Sequence, residues 1–185
     1  MTQKDATVKA LVVYESLFGN TEQVARSIKA GLAEHADVEL MEVAEAREVG
    51  TRAFDLIVLG GPTHAFSMTK PSTREEAVGR GASHGSATYG LREWLEHLHK
   101  GSHTELVATF DTRVRKVRRL PGSAARGAAK IVRGLGYSSA AHAESFYVED
   151  VNGPLLDGEL DRARAWGEWL GRQSASHEVD HELER

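Results

Sequence analysis

The 185-residue chain contains no cysteine. Disulfides, thiolate metal centres and cysteine nucleophiles are thereby excluded, and the absence fits a reducing, cytoplasmic setting. No apolar run approaches the ~20 residues that a membrane helix needs. The polar opening, Met1 to Ala6, leads straight into a strand-like run and leaves no room for a signal peptide. No membrane contact is expected. Excess charge is also scarce. The 23 basic and 27 acidic side chains leave a net charge of −4, too mild to argue for a nucleic-acid partner. Two phosphate-loop signatures are missing as well. No Gly-Lys-Ser/Thr ending marks a nucleoside triphosphatase, and no Gly-x-Gly-x-x-Gly marks an NAD-type loop.

What is present reads as one globular domain, with 41% hydrophobic and 27% charged residues. Apolar runs at 8–14, 54–61, 106–110 and 145–148 read as buried strands, and 38–43 alternates apolar with polar. Helical periodicity fills the gaps. Val24, Ala25, Ile28 and Leu32 share one face, with Asn20 as a cap and Gln23 three residues on. Leu91, Trp94, Leu95 and Leu98 form an amphipathic stripe. Ser123 caps a helix that Gly136 stops, and Asp157 caps a last helix through Trp166 and Leu170. Residues 44–53 are too short and polar for a helix. Strict alternation of strand and helix implies an α/β three-layer sandwich around a five-stranded parallel sheet of order 2-1-3-4-5. Ligands then belong at the carboxyl ends of strands 1 and 3. The domain is expected over residues 7–172, with 173–185 a frayed, flexible tail.

Two connections stand out. Residues 69–90 form a long excursion, with Pro71 and a Ser72-x-x-Glu75 box suggesting a short helix followed by a glycine-rich turn. The loop after strand 1 holds Ser16, Gly19, Asn20 and Thr21 and opens a helix, with no basic residue before Arg26. Backbone amides and hydroxyls there suit a phosphate, assisted by the helix N-terminus.

Ser16-Leu17-Phe18-Gly19-Asn20-Thr21-Glu22 closely resembles the phosphate loop of flavodoxins, which reads Ser/Thr-x-Thr-Gly-Asn-Thr-Glu. The strand at 54–61 followed by Pro62-Thr63-His64 is similar to the family's entry into one flavin-flanking loop. Thr109-Phe110-Asp111 stands where the second begins, and the resemblance spans roughly Val8 to Arg172. It implies a flavodoxin-like FMN-binding protein. Ser16, Gly19, Asn20, Thr21 and the amides of Leu17 and Phe18 would hold the FMN phosphate. Pro62, Thr63 and His64 would line the ribityl chain, Phe66 would flank the ring, and Phe110, Asp111, Thr112 and Arg113 would face its pyrimidine end. Three positions depart from the family pattern. Phe18 replaces a hydroxyl residue, no tryptophan or tyrosine follows Pro62 or Asp111, and 64–66 contains no glycine.

The resemblance implies FMN-dependent electron transfer, by a carrier rather than a self-sufficient oxidoreductase. Two alternatives stay open: an FMN-dependent NAD(P)H:quinone-type reductase, and a flavodoxin-fold interaction domain that has lost flavin. Five basic residues, Arg113, Arg115, Lys116, Arg118 and Arg119, suit a redox partner protein that is acidic at the contact surface or an anionic ligand such as a nicotinamide dinucleotide phosphate, or else form a solvated loop. His97, His99 and His103 do not share a helix face, so no metal site is expected. The three tryptophans have core spacing on helices. A receiver domain would need acids after strands 1 and 3, and only Glu15 is present.

Overall fold

Period-two alternation sends the side chains of each apolar run to opposite faces of one sheet. The structure, a computed structural model, describes residues 7–183, with side chains as far as residue 176. β1 (Lys9–Tyr14) lies between β2 (Asp37–Glu42) and β3 (Leu56–His64), all parallel, with Val12 level with Leu40 and Val58. The two-residue β4 (Ser67–Met68) folds back antiparallel on the end of β3. β5 (Leu106–Val114) runs parallel to β3, and both β6 (Ser138–Ser139) and β7 (Glu144–Val148) pair with β5. The order is therefore β2-β1-β3-β5, with the fifth place shared by β6 and β7, which is the expected 2-1-3-4-5 once the short antiparallel β4 is set aside. Only β7 carries an apolar pattern, which is why the sequence marks it and not Ser138–Ser139.

Helices cover both faces. α1 (Asn20–Leu32) and α5 (Glu159–Leu183) enclose Ala10, Val12, Leu56, Val58, Ala108 and Phe110. α3 (Leu91–Glu96) and α4 (Ala124–Leu135) enclose Leu11, Val13, Ile57, Leu59 and Val107. The short α2 (Pro71–Gly79) lies in the 69–90 excursion. Residues 44–53 contain only 3-10 turns, Glu45–Glu48 and Thr51–Ala53. Ser123 caps α4 by accepting from the Arg126 amide at 3.2 Å, and Gly136 ends it at φ +105°. Among the described residues no helix is long and apolar enough to cross a membrane.

Several details differ from expectation. Gly19, in the left-handed region at φ +84°, is the N-cap of α1, and Asn20 is its first helical residue. α5 starts at Glu159, beyond the expected Asp157 cap, and continues past residue 172 to Leu183, with Ser174 buried. Trp94 is buried, whereas Trp169 is 42% exposed and contributes little to the core. The central strands also overrun their predicted ends. β3 continues through His64 and β5 through Val114, so both stand above the sheet's carboxyl edge and form walls there.

Candidate functional site

The loop after β1 is turned by Gly19 and closed by Ser16, whose buried Oγ accepts the Glu22 amide at 3.3 Å. That bond satisfies one orphan donor of α1, and the amides of Asn20 and Thr21 open the helix with no carbonyl behind them. Thr21 crosses to the overrun of β5, where its Oγ1 lies 2.7 Å from Thr112 Oγ1. The loop and β5 are thereby fixed to one another.

A cleft of about 470 Å³ opens between these elements. Leu17, Phe18, Asn20 and Thr21 line one end. Pro62, Thr63, His64, Ala65 and Phe66 form one wall, while Thr112 and Arg113 begin the opposite one. The β3–β4 turn carries two successive non-glycine residues at positive φ, Ala65 at 45° and Phe66 at 63°. This left-handed pair turns the hairpin in two residues and leaves Phe66 48% exposed. Burial holds the His64 imidazole below its ordinary pKa, against the opposing pull of Glu76, so it is neutral at pH 7.

Most expected site residues therefore meet in one place, but not all. The Phe110 side chain lies in the core, edge-on to Phe146 and Trp166 at 6.2 and 6.4 Å. Strand alternation turns it away from the cleft. Asp111 points to the opposite face, where Oδ2 accepts from Thr63 Oγ1 and the Ala125 amide, both at 3.0 Å. It anchors the start of α4 and does not face the cleft. Arg113 is also internal: its Nη2 donates to the carbonyls of Val117 at 2.8 Å and Leu120 at 3.3 Å. It clamps the following loop rather than joining its exposed charges, and its buried Nε has no protein partner.

Sequence reasoning missed a buried ionic network behind the loop that follows β1. Arg74, on α2, has no exposed surface. Its Nε donates to Ala87 O at 3.1 Å, its Nη1 to Thr69 Oγ1 at 2.9 Å, and its Nη2 lies 2.9 Å from Glu93 Oε1. Glu15 accepts from Thr69 Oγ1 at 2.5 Å and the Leu91 amide at 2.8 Å. Burial raises the Glu15 pKa, whereas Arg74 and the Gly90 amide hold Glu93 below the ordinary value despite its own desolvation. Arg74 sits among polar neighbours on a weakly patterned helix, so no periodicity marks it as internal.

The histidines at 97, 99 and 103 do not converge: His97 Nδ1 pairs with Glu93 O, and His103 stacks on Tyr137 at 3.6 Å. Glu34, His35 and Glu168 place three possible ligand atoms within 4.8 Å. Their carboxylates are already paired with Arg164 at 2.8 Å and Arg172 at 2.9 Å.

No protein-family model and no curated protein matches the chain. Solved structures do. A flavodoxin from the domain Archaea superposes with a TM-score of 0.60 at 18% identity, covering 90% of this chain and 98% of the other. Flavodoxin 2 from Bacillus cereus gives 0.60 at 20% identity, covering 89% and 99%. The chain has a flavodoxin-like fold. A flavodoxin, WrbA-like protein from Agrobacterium tumefaciens also matches, at 0.58 and 15% identity over 92% and 99%. Within this flavodoxin-like frame the cleft occupies the carboxyl edge of β1 and β3, where the strand order reverses and ligands of such sheets bind.

Proposed function

We propose that the chain is an FMN-binding electron-transfer protein of the flavodoxin type. The observation that carries this reading is the convergence on one cleft of a helix N-terminal loop and a turn exposing Phe66. The donor set fits the cofactor. Free amides at the start of α1 and the Thr21 hydroxyl suit a phosphate. Phe66, exposed at the cleft, suits a flat apolar ring. FMN supplies reversible electron storage when bound. The chain's residues bind and orient it: Thr21 and Thr112 tie the phosphate loop to β5, and neutral His64 offers an uncharged hydrogen-bonding ring to the cleft.

The exposed loop of Arg115, Lys116, Arg118 and Arg119 supports a partner protein that is acidic at its contact surface. Lys116 also lines the cleft, which favours a second reading as an FMN-dependent NAD(P)H:quinone-type reductase. The deciding experiment is FMN titration of the purified protein, read by flavin absorption and fluorescence quenching. Tight binding supports the reading, and no binding at micromolar FMN leaves the flavin-free interaction domain in its place. Adding NADPH alone to the loaded protein separates the two flavin readings, since only the reductase bleaches the flavin directly.

A further inference from the structure

The 69–90 excursion is pinned at its root and pressed against the phosphate loop at its tip. At the root, Thr69 and Leu91 both donate to Glu15, while Arg74 bridges Thr69, Ala87 and Glu93. Gly90 closes this root. A Cβ there would lie 2.5 Å from Arg74 Nη1 and 2.6 Å from Glu15 Oε2. At the tip, the His84 amide donates to Leu17 O at 3.2 Å. Gly85, at φ +70°, approaches the Ser16 carbonyl so closely that a Cβ would lie 2.6 Å from its oxygen. The His84 ring covers Gly19, with Cε1 3.4 Å from where a Cβ would stand.

These contacts fix the direction of two peptide units. In a planar trans peptide the C=O and N–H point to opposite sides. The Ser16 carbonyl faces Gly85, so the Leu17 amide points away from the excursion. The Leu17 carbonyl faces the His84 amide, so the Phe18 amide points away too. Among the described residues, neither amide donates to a protein acceptor. Successive amides aimed to one side make an anion-binding concavity, and Leu17 and Phe18 line the cleft together with Asn20 and Thr21.

We propose that His84 and Gly85 are positioning residues for phosphate recognition. His84 bonds the Leu17 carbonyl and Gly85 leaves room for that of Ser16, so both carbonyls face outward and the Leu17 and Phe18 amides aim at the same anion as those of Asn20 and Thr21. The inference rests on the flavin reading for the identity of the ligand.

The test compares FMN with riboflavin, which lacks the phosphate, on wild type and Gly85→Ala. The variant should lose about tenfold in FMN affinity, the scale of one hydrogen bond to a charged group, with riboflavin affinity unchanged. Equal losses for both ligands would show a merely structural role and overturn the proposal, as would no loss for either. A second measurement needs no variant. Inorganic phosphate is titrated into the flavin-free wild type, and backbone amide resonances are followed. Leu17 and Phe18 should shift together with Asn20 and Thr21. Shifts at Asn20 and Thr21 without Leu17 and Phe18, or no shifts at all, overturn the proposal. A wild type that binds phosphate through these four amides but not FMN refutes the flavin reading alone.

Discussion

The Arg74 guanidinium lies 2.9 Å from the Glu93 carboxylate while having no exposed surface of its own. A wholly buried cation needs a counter-charge and acceptors, and here Ala87 O and Thr69 Oγ1 accept hydrogen bonds from Nε and Nη1 while Glu93 supplies the opposite charge beside Nη2, which makes no hydrogen bond of its own. Replacing Arg74 with methionine keeps much of the volume and removes the charge. It strands Glu15 and Glu93, so the expected cost is about 3–5 kcal/mol, the range for breaking a buried ion pair from one side. Urea unfolding of Arg74→Met measures it. A loss below about 1 kcal/mol, the scale of an exposed pair, would show that the network contributes little.

Glu15 gives a pH dependence of definite sign. Burial raises its folded pKa above the ordinary carboxylate value of 4.5. Well below 4.5 it is protonated in both states and costs nothing. As pH rises, the unfolded chain releases this proton first, so the folded state loses stability until pH passes the folded pKa and the penalty is complete. Glu15→Gln cannot ionise. Its stability relative to wild type should therefore improve as pH rises through that window and then level off. A flat difference between pH 4 and 8, from chemical denaturation at a series of about six pH values, would contradict the raised pKa.

The strand order and the position of the β1–α1 loop are legible because both rest on local pattern. β1 and β3 are continuous apolar runs, and the loop lies between an apolar strand and an amphipathic helix. What escaped reading depends on tertiary direction. Phe110 and Asp111 were expected beside Thr112 and Arg113 at the cleft. Strand geometry persists through Val114, so alternation sends Phe110 into the core and Asp111 toward α4. The role of Arg74 was invisible for a related reason. Its partners, Glu15, Thr69 and Glu93, lie up to 59 positions away, and nothing in α2 itself signals burial. The length of the 69–90 excursion sets it apart in the sequence, but its contact with Ser16 and Leu17 exists only in the folded chain.

The β3–β4 turn predicts opposite effects on stability and ligand binding. Left-handed backbone costs an L-residue roughly 1–2 kcal/mol, and glycine avoids it at an entropic cost of about 0.5–1 kcal/mol. Phe66 is 48% exposed, so its replacement sacrifices only part of its burial. Phe66→Gly should stabilise the flavin-free protein slightly, by about 0.5 kcal/mol, while weakening FMN through loss of the exposed aromatic ring. Thermal melts and flavin titrations measure the two effects. Lower stability with unchanged affinity would mean that Phe66 serves the hairpin and not the ligand.

The cationic loop after β5 separates the partner readings. Arg113 is excluded from the test because its side chain holds Val117 and Leu120 in place. Arg115, Lys116, Arg118 and Arg119 are exposed, and among the described residues only Glu149 pairs with one of them, at 3.7 Å from Arg115. Like charges held together by a buried clamp repel, and an anionic partner relieves that repulsion. Exposed charges are screened over about 8 Å at physiological ionic strength, so both protein and dinucleotide partners should bind less well as salt rises. Changing Arg115, Lys116 and Arg118 to glutamate distinguishes them. With an acidic iron–sulfur ferredoxin as electron donor to the FMN-loaded protein, a docking role predicts a rate about tenfold lower at low salt, with direct reduction by NADPH unchanged. A nicotinamide-dinucleotide site predicts the reverse. If neither rate moves, the loop is a solvated surface and the partner docks elsewhere.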